Sequence, residues 1–515
     1  MNNVSNRTSI GQKTLKLFLL ISVFLTLTSL YYQDAEQISI NVLDKYPITA
    51  EIIALRDRID EILTDYDSFE YDFGLKIVSM EIPQTFYELQ SDKPLSPASN
   101  LKIITTAAAF DMLGSDFRWV TEFHINDSNN LYIRSSGDPT WNDSYRKGMI
   151  NRVTKSIADS LKKHGFTSIN NIIVHPGAFN NAPIGLGWRL ENRLHSFSAK
   201  SSAIAFNDNA VQVRIAPATV GNNARITLYP VNAGFRVVNN VRTTANRNSQ
   251  GINFSADHDR NTITVMGNIW VNSRAQYRTI AVPRPDLYSL EILKHKLREH
   301  GITVRGNSLY QELSARTLSI EKYSNYFPIV SPPLYEVTEE INKRSNNFVS
   351  NQLFITIADK NENNLDSEKL IKQWLNTHKV SADSLLMYDG SGLSYLNKTT
   401  ADILVDVLKI MGETSYFEEY KNTMAICGVD GTLRLAFQDE RLHRKVYAKT
   451  GFISGVRGLT GYVYTKDNEI LAFSFLVNKE GSRINNFNNI IGRILVELVE
   501  FTRNDLQANY LQERI

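Results

Sequence analysis

Apolar positions along this chain change period several times, and each change marks an element. From residue 51 to residue 63 they recur at helical spacing, and residues 71–80 form a short apolar run that predicts a strand. A second helix follows with apolar residues on nearly every side: Leu101, Ile103, Ile104 and Ala107-Ala108-Ala109-Phe110, ending at Gly114. A helix of that kind is buried. Residues 119–125 and 131–135 predict short strands, and Gly137-Asp138-Pro139 a turn. Between about 170 and 285 the chain breaks into short β-branched segments (211–215, 225–229, 236–239, 262–265) separated by Asn, Gly and Asp, which predicts an inserted β-rich module. Leu287, Leu290, Leu293 and Leu297 then predict a helix over 285–300. Near the C-terminus, strands are predicted at 445–450, 459–464 and 470–476, with a turn at Lys466-Asp467-Asn468. Ile484, Phe487, Ile491, Ile494 and Leu498 mark a last helix lying on that sheet.

Composition narrows the function class. A chain of 515 residues with 42% hydrophobic content builds two or three domains with cores. A net charge of +2 without a basic tract excludes nucleic acid as a partner. The nine histidines show no metal-ligand spacing, so no metal or other cofactor is expected. Cys427, the only cysteine, forms no intrachain disulfide and reads as a small buried side chain. At the N-terminus Arg7, Lys13 and Lys16 precede an apolar run over residues 17–30, the pattern of an export signal. The run lies between a signal-peptide core and a membrane span in length, and Gln33-Asp34-Ala35 is a poor cleavage site. A cleaved signal and a retained anchor in the cytoplasmic membrane both fit. Either places the rest of the chain in the periplasm or cell envelope, and the single cysteine suits a bacterial envelope.

The candidate chemistry begins with Ser99 and Lys102. A serine hydroxyl needs a base, and a lysine three residues on in a helix projects on the same face. Ser-x-x-Lys occurs four times, at Ser99, Ser144, Ser160 and Ser319, and context separates them. Ser144 follows a polar turn, Ser160 lies in a charged amphipathic stretch and Ser319 has no helix-start signal. Ser99 follows Pro97-Ala98, with proline suited to a first helical position, and opens the apolar helix. A lysine buried there has a task or a lowered pKa. Ser345-Asn346-Asn347 opens another apolar helix, and Lys449-Thr450-Gly451 is placed at the end of a strand whose edge would accept an extended peptide. The Gly-rich runs 389–394 and 428–433 are read as walls rather than chemistry.

Pro97-Ala98-Ser99-x-x-Lys102, Gly137-Asp138-Pro139, Ser345-x-Asn347, the two Gly-rich runs and Lys449-Thr450-Gly451 stand in the order found in the S13 family of D-alanyl-D-alanine carboxypeptidases. These are class C low-molecular-mass penicillin-binding proteins, and the chain resembles them over roughly residues 50–500. The resemblance implies an α+β fold: a β-lactamase/transpeptidase-like domain, its antiparallel sheet covered by helices on both faces, with a helical subdomain and inserted β-rich modules. The expected organisation is 1–36 signal or anchor, 37–118 transpeptidase-like domain, 119–310 inserted modules and 311–515 the rest of that domain. It implies Ser99 as nucleophile, Lys102 as its base, Ser345, bonded to both lysines, as the proton relay to the leaving amine, and Lys449 as positive charge. Asn347, Thr450, Gly451 and Phe452 would bind substrate, with the N–H groups of Ser99 and Phe452 as oxyanion hole. Peptidoglycan stem peptides would be substrates for carboxypeptidase and endopeptidase cleavage, and β-lactams covalent inhibitors.

Two positions depart from the family pattern. Phe452 stands where a hydroxyl residue usually follows the triplet, and Asn346 where Asp is more usual. An envelope sensor that has lost turnover, or a β-lactamase-like hydrolase, would use the same pocket.

Overall fold

The computed structural model describes residues 46–503 apart from 65–70, 181–184, 231–233, 312–324, 361–365, 480–483 and 485. The apolar segment 17–30 and Ser319 lie outside the described residues. Six strands form a central antiparallel sheet: β1 (Asp72–Ser79), β2 (Thr85–Leu89), β3 (Ala425–Ile426), β4 (Val446–Ile453), β5 (Val456–Tyr464) and β6 (Ile470–Asn478). Their order is β3-β4-β5-β6-β1-β2. β6 pairs with β1 from Asp72↔Asn478 to Ser79↔Leu471, so the two ends of the chain close the sheet between them.

β6 reads buried from Leu471 through Val477, without polar alternation, because helices cover both faces of the sheet. On one face lie α1 (Ala50–Thr64) and, as the sixth of the helices labelled here, α6 (Phe487–Glu500). Ile52, Leu55 and Ile59 join Ile491, Ile494 and Leu498 over Phe73 and Phe475. On the other face lie α2 (Leu101–Leu113), α3 (Leu334–Arg344), α4 (Asn347–Asp359) and α5 (Ala401–Gly412). Their core includes Ile104, Phe110, Ile341, Leu353, Leu404 and Leu408 with Tyr462 and Leu476 of the sheet. Burying each such side chain contributes about 1.5–3 kcal/mol. Every residue of α2 from Leu101 to Phe110 is buried, as its all-round apolar pattern predicts.

A separate core, including Phe123, Ile157, Val211, Val265, Ile292 and Phe327, belongs to an inserted layer. Between 168 and 281 this layer is built of strands and short 3-10 turns, and the helix expected after 285 is present. The helices Met149–Lys163 and Pro285–Glu299 share its core with a five-stranded sheet, two three-stranded sheets and a two-stranded pairing of Ser168–Ile169 with Thr303–Val304. Asn325–Val330 pairs with Val120–Ile125, which carries the layer past residue 310. Gly251–Asp257, missed in the sequence, alternates exposed and half-buried positions and has few strong β-formers.

The Lys449-Thr450-Gly451 triplet falls inside β4 rather than at a strand end. The β4–β5 ladder continues unbroken to Ile453↔Val456, with Gly451 opposite Gly458. β3 pairs with β4 only at Tyr447 and Ala448, so the outer edge beyond Ala448 is not taken by β3.

One buried ion pair closes the far end of the sheet. Arg503 donates to both Glu469 oxygens at 2.8 Å, with each side chain 2% exposed, and to Gln84 Oε1 at 2.7 Å. Glu469 also accepts from Ser79 Oγ at 2.6 Å. Removing one partner of such a pair leaves a buried charge unmatched, so Arg503→Met is expected to cost about 3–5 kcal/mol in urea unfolding.

Candidate active site

Ser99 sits in a single 3-10 turn, Ala98–Asn100, that leads into α2, rather than in the helix itself. Ala98 is fully buried at φ +45°, a left-handed conformation that costs an alanine about 1–3 kcal/mol. The sheet holds this turn from below. Asn100 Nδ2 donates to Thr460 Oγ1 of β5 at 2.6 Å. A Cβ at Gly451 would lie 2.4 Å from Asn100 Oδ1, and one at Gly458 2.9 Å from Asn100 Nδ2. The paired glycines of β4 and β5 let the Ser99 turn rest on the sheet. Gly451 thus packs against Asn100, whereas Thr450 and Phe452 line the cleft.

Lys102, the second residue of α2, is fully buried. Its Nζ lies 2.9 Å from Ser99 Oγ, 2.8 Å from Asn347 Oδ1 and 2.6 Å from the Ser391 carbonyl. Burial lowers its pKa to about 7, against a smaller opposing pull from Asp389. The partner set suits a neutral amine. Asn347 Oδ1 and the Ser391 carbonyl only accept, whereas the Ser99 hydroxyl can accept from an ammonium or donate to a neutral amine whose two N–H groups go to the other two partners.

The Ser391 carbonyl is held by a turn the sequence reading treated as a wall. Asp389 Oδ1 accepts from the N–H groups of Ser391 (3.0 Å) and Gly392 (2.7 Å). Its Oδ2 accepts from Ser394 N–H (2.8 Å) and Trp188 Nε1 (2.7 Å). Gly392 has φ +80°, and a Cβ there would meet the Ala98 carbonyl at 1.7 Å. The turn therefore packs directly behind Ser99.

Ser345 occupies the break between α3 and α4 at φ +59°. Asn346 caps α4, its Oδ1 accepting from Val349 N–H at 3.1 Å. Asn347 follows in the first turn, and its Nδ2 donates to the Phe197 carbonyl at 3.0 Å, which fixes Oδ1 toward Lys102. Lys449, also fully buried, donates to Ser345 Oγ at 2.8 Å and to its neighbour's carbonyl, Thr450 O, at 2.7 Å. Burial, then the nearby Lys102 charge, pushes its pKa well down. Ser345 was expected to bond both lysines. It bonds Lys449, while Lys102 spends its contacts on Ser99, Asn347 and Ser391.

Above these groups opens a cavity of about 910 Å³ that Ser99, Ser345, Asn347 and Thr450 line. Thr450 Oγ1 donates to Thr432 Oγ1 at 2.9 Å. Phe452 is 63% exposed, and the Arg457 guanidinium lies 3.8 Å from its ring centroid. On the opposite wall Arg189 stacks over Tyr395 at 4.3 Å. Of the other described Ser-x-x-Lys serines, Ser160 lies on the inserted helix Met149–Lys163, and Ser144 lines a neighbouring cleft beside Ser345 with its hydroxyl bonded to Asn142. Sequence reasoning missed Asn100, Thr432, Phe197 and the Ser391 carbonyl. For the last, the Asp-Gly-Ser-Gly run was the signal.

The neutral fraction of Lys102 grows as pH rises through about 7. Acylation of Ser99 by a labelled penicillin is therefore expected to rise about tenfold per unit below that pH and level off above it. Lys102→Arg keeps the cation and is expected to show negligible acylation across the range.

Residues 55–497 match the D-Ala-D-Ala carboxypeptidase 3 (S13) family. The D-alanyl-D-alanine carboxypeptidase of Actinomadura sp. strain R39 is 26% identical over 450 residues, 83% of this chain and 82% of that protein. The D-alanyl-D-alanine carboxypeptidase DacB of Haemophilus influenzae is 25% identical over 397 residues, 74% of this chain and 80% of that protein. The crystal structure of H. influenzae penicillin binding protein 4 (dacB) superposes with a TM-score of 0.73 at 21% identity, covering 86% of this chain and 99% of that one. The same protein complexed with a β-lactam gives 0.68 at 20% identity, covering 85% of this chain and 97% of that one. A match over this much of the sequence, on a shared fold, makes the chain a member of the D-Ala-D-Ala carboxypeptidase 3 (S13) family.

Proposed function

We propose that this protein is a serine D,D-peptidase that cleaves D-Ala-D-Ala termini and D-Ala cross-links of peptidoglycan through an acyl-enzyme on Ser99. The observation that carries this is the Ser99 Oγ to Lys102 Nζ distance of 2.9 Å, at an amine whose two other partners are pure acceptors.

Lys102 takes the Ser99 proton as Oγ bonds to the carbonyl carbon of the penultimate D-alanine. The N–H groups of Ser99 and Phe452 receive the oxyanion, where one such donor is typically worth about 3–4 kcal/mol. The C–N bond then breaks, and the leaving nitrogen takes a proton from the Ser345 hydroxyl, which Lys449 replenishes. The proton that Lys102 took passes on to Lys449, which returns both lysines to their starting states; Lys102 then takes a proton from water as the resulting hydroxide attacks the acyl carbonyl, and gives it to Ser99 Oγ as the ester bond breaks. A terminal carboxylate beside Thr450 favours charge on Lys449, against the burial that lowers its pKa. Phe452 brings no hydroxyl to that carboxylate, and a cleft of about 910 Å³ admits a larger leaving group, so cross-links are substrates as well as termini. β-Lactams acylate the same serine and would leave it blocked. The cell envelope, outside the cytoplasmic membrane, is where such a substrate lies. Residues 17–30 would direct export there, and anchor the protein if retained.

The test compares wild type with Ser99→Ala on a D-Ala-D-Ala pentapeptide and on cross-linked muropeptides, with products identified by mass. Wild type is expected to release D-alanine and split cross-links, and Ser99→Ala to do neither. Equal products from both, or a penicillin adduct on another serine, would overturn the assignment. Penicillin binding without release of D-alanine would make the protein a sensor, and rapid penicillin hydrolysis a β-lactamase.

A further inference from the structure

Asn207, Asp208 and Asn209 are three consecutive non-glycine residues in the left-handed region, at φ +54°, +55° and +51°. L-residues visit this region singly as a rule, at about 1–2 kcal/mol each, and Asn and Asp tolerate it best. The surrounding layer holds the turn at both ends. Asn207 N–H donates to the Trp141 carbonyl at 3.0 Å and its Nδ2 to the Ala210 carbonyl at 3.0 Å. Asn209 Nδ2 donates to the Lys200 carbonyl and to Ser202 Oγ, each at 2.8 Å.

This turn delivers Asp208 to the catalytic domain. Its Oδ2 accepts from Asn346 Nδ2 at 2.8 Å, across 138 residues of chain. The Asn346 side chain is then fully committed: Oδ1 caps α4 and Nδ2 is held by Asp208. Its neighbours on either side are Ser345, itself left-handed, and Asn347, which fixes Lys102. The geometry points to Asp208 as a positioning residue. From the inserted layer it holds Asn346, and through it the Ser345–Asn347 loop, in the geometry that proton transfer to the leaving group requires. This rests on the serine-peptidase reading above.

The pair also gives a reason for asparagine at 346. An aspartate there would set two carboxylates at hydrogen-bond distance, which cannot both ionise without cost. Glu340 of α3 lines the same cleft, so a further carboxylate would add to the penalty.

The experiment measures Ser99 acylation by a labelled penicillin in the full-length protein. The acylation rate constant is separated from the affinity of the pre-covalent complex, for Asp208→Ala, Asn346→Asp and the exchange Asp208→Asn/Asn346→Asp. Melting temperatures are taken alongside. Each single change is expected to slow acylation by about tenfold or more, with the affinity unchanged. The exchange restores a donor–acceptor pair and is expected to recover most of the Asn346→Asp loss. The proposal is overturned if the exchange acylates no faster than Asn346→Asp, if Asp208→Ala acylates at the wild-type rate, or if the whole loss lies in affinity. If Asp208→Ala does not fold, the comparison of Asn346→Asp with the exchange still decides. Failure of the wild type to acylate at all would instead reject the serine-peptidase reading.

Discussion

A lysine amine withdrawn from water loses several kcal/mol of hydration, and this protein withdraws two of them beside one cleft. Lys102 and Lys449 are both fully buried, and neither has a carboxylate in hydrogen-bond contact. Carbonyl, amide and hydroxyl oxygens receive them instead. A carboxylate in contact would stabilise each ammonium and oppose the lowering of its pKa. Neutral acceptors satisfy the N–H groups while leaving the charged form disfavoured. The rest of the architecture serves to bring those acceptors together from distant parts of the chain.

Four regions do so. The turn before α2 brings Ser99 and Lys102, the break between α3 and α4 brings Ser345 and Asn347, the Asp389 turn brings the Ser391 carbonyl, and β4 brings Lys449. Two of the joints are fixed by close approaches that leave little slack: Gly451 and Gly458 against Asn100, and Gly392 against the Ala98 carbonyl. The inserted layer takes part as well. The Phe197 carbonyl orients Asn347, Trp188 braces Asp389, and Asp208 reaches Asn346. Its folding therefore bears on the chemistry as well as on the shape of the cleft.

What was legible in the sequence divides along physical lines. The all-round apolar pattern of α2 marks it as buried, and that context singled out Ser99 from other serines with a lysine three residues on. The strands and helix after residue 445 follow from short-range periodicity alone. Side-chain types in fixed order pointed to Ser345 and Lys449. Main-chain partners left no such trace, because any residue supplies a carbonyl; that is why Ser391 was seen only as part of a glycine-rich turn. The left-handed Ala98 and the Asn207–Asn209 turn are imposed by tertiary contacts, against local preference. The cross-strand pairing of Gly451 with Gly458, which keeps the triplet inside β4, is likewise visible only once the register is known.

The central claim concerns protonation, and it can be read on the lysines themselves. Carbon-13 NMR of the lysine Cε positions, assigned by comparing wild type with Lys102→Met and Lys449→Met, would follow each amine through a pH titration. Lys102 is predicted to titrate at about 7, and Lys449 well below the ordinary 10.5 of lysine. Two buried lysines that both stay protonated to above pH 10 would contradict the account, since neither could then take the proton of Ser99.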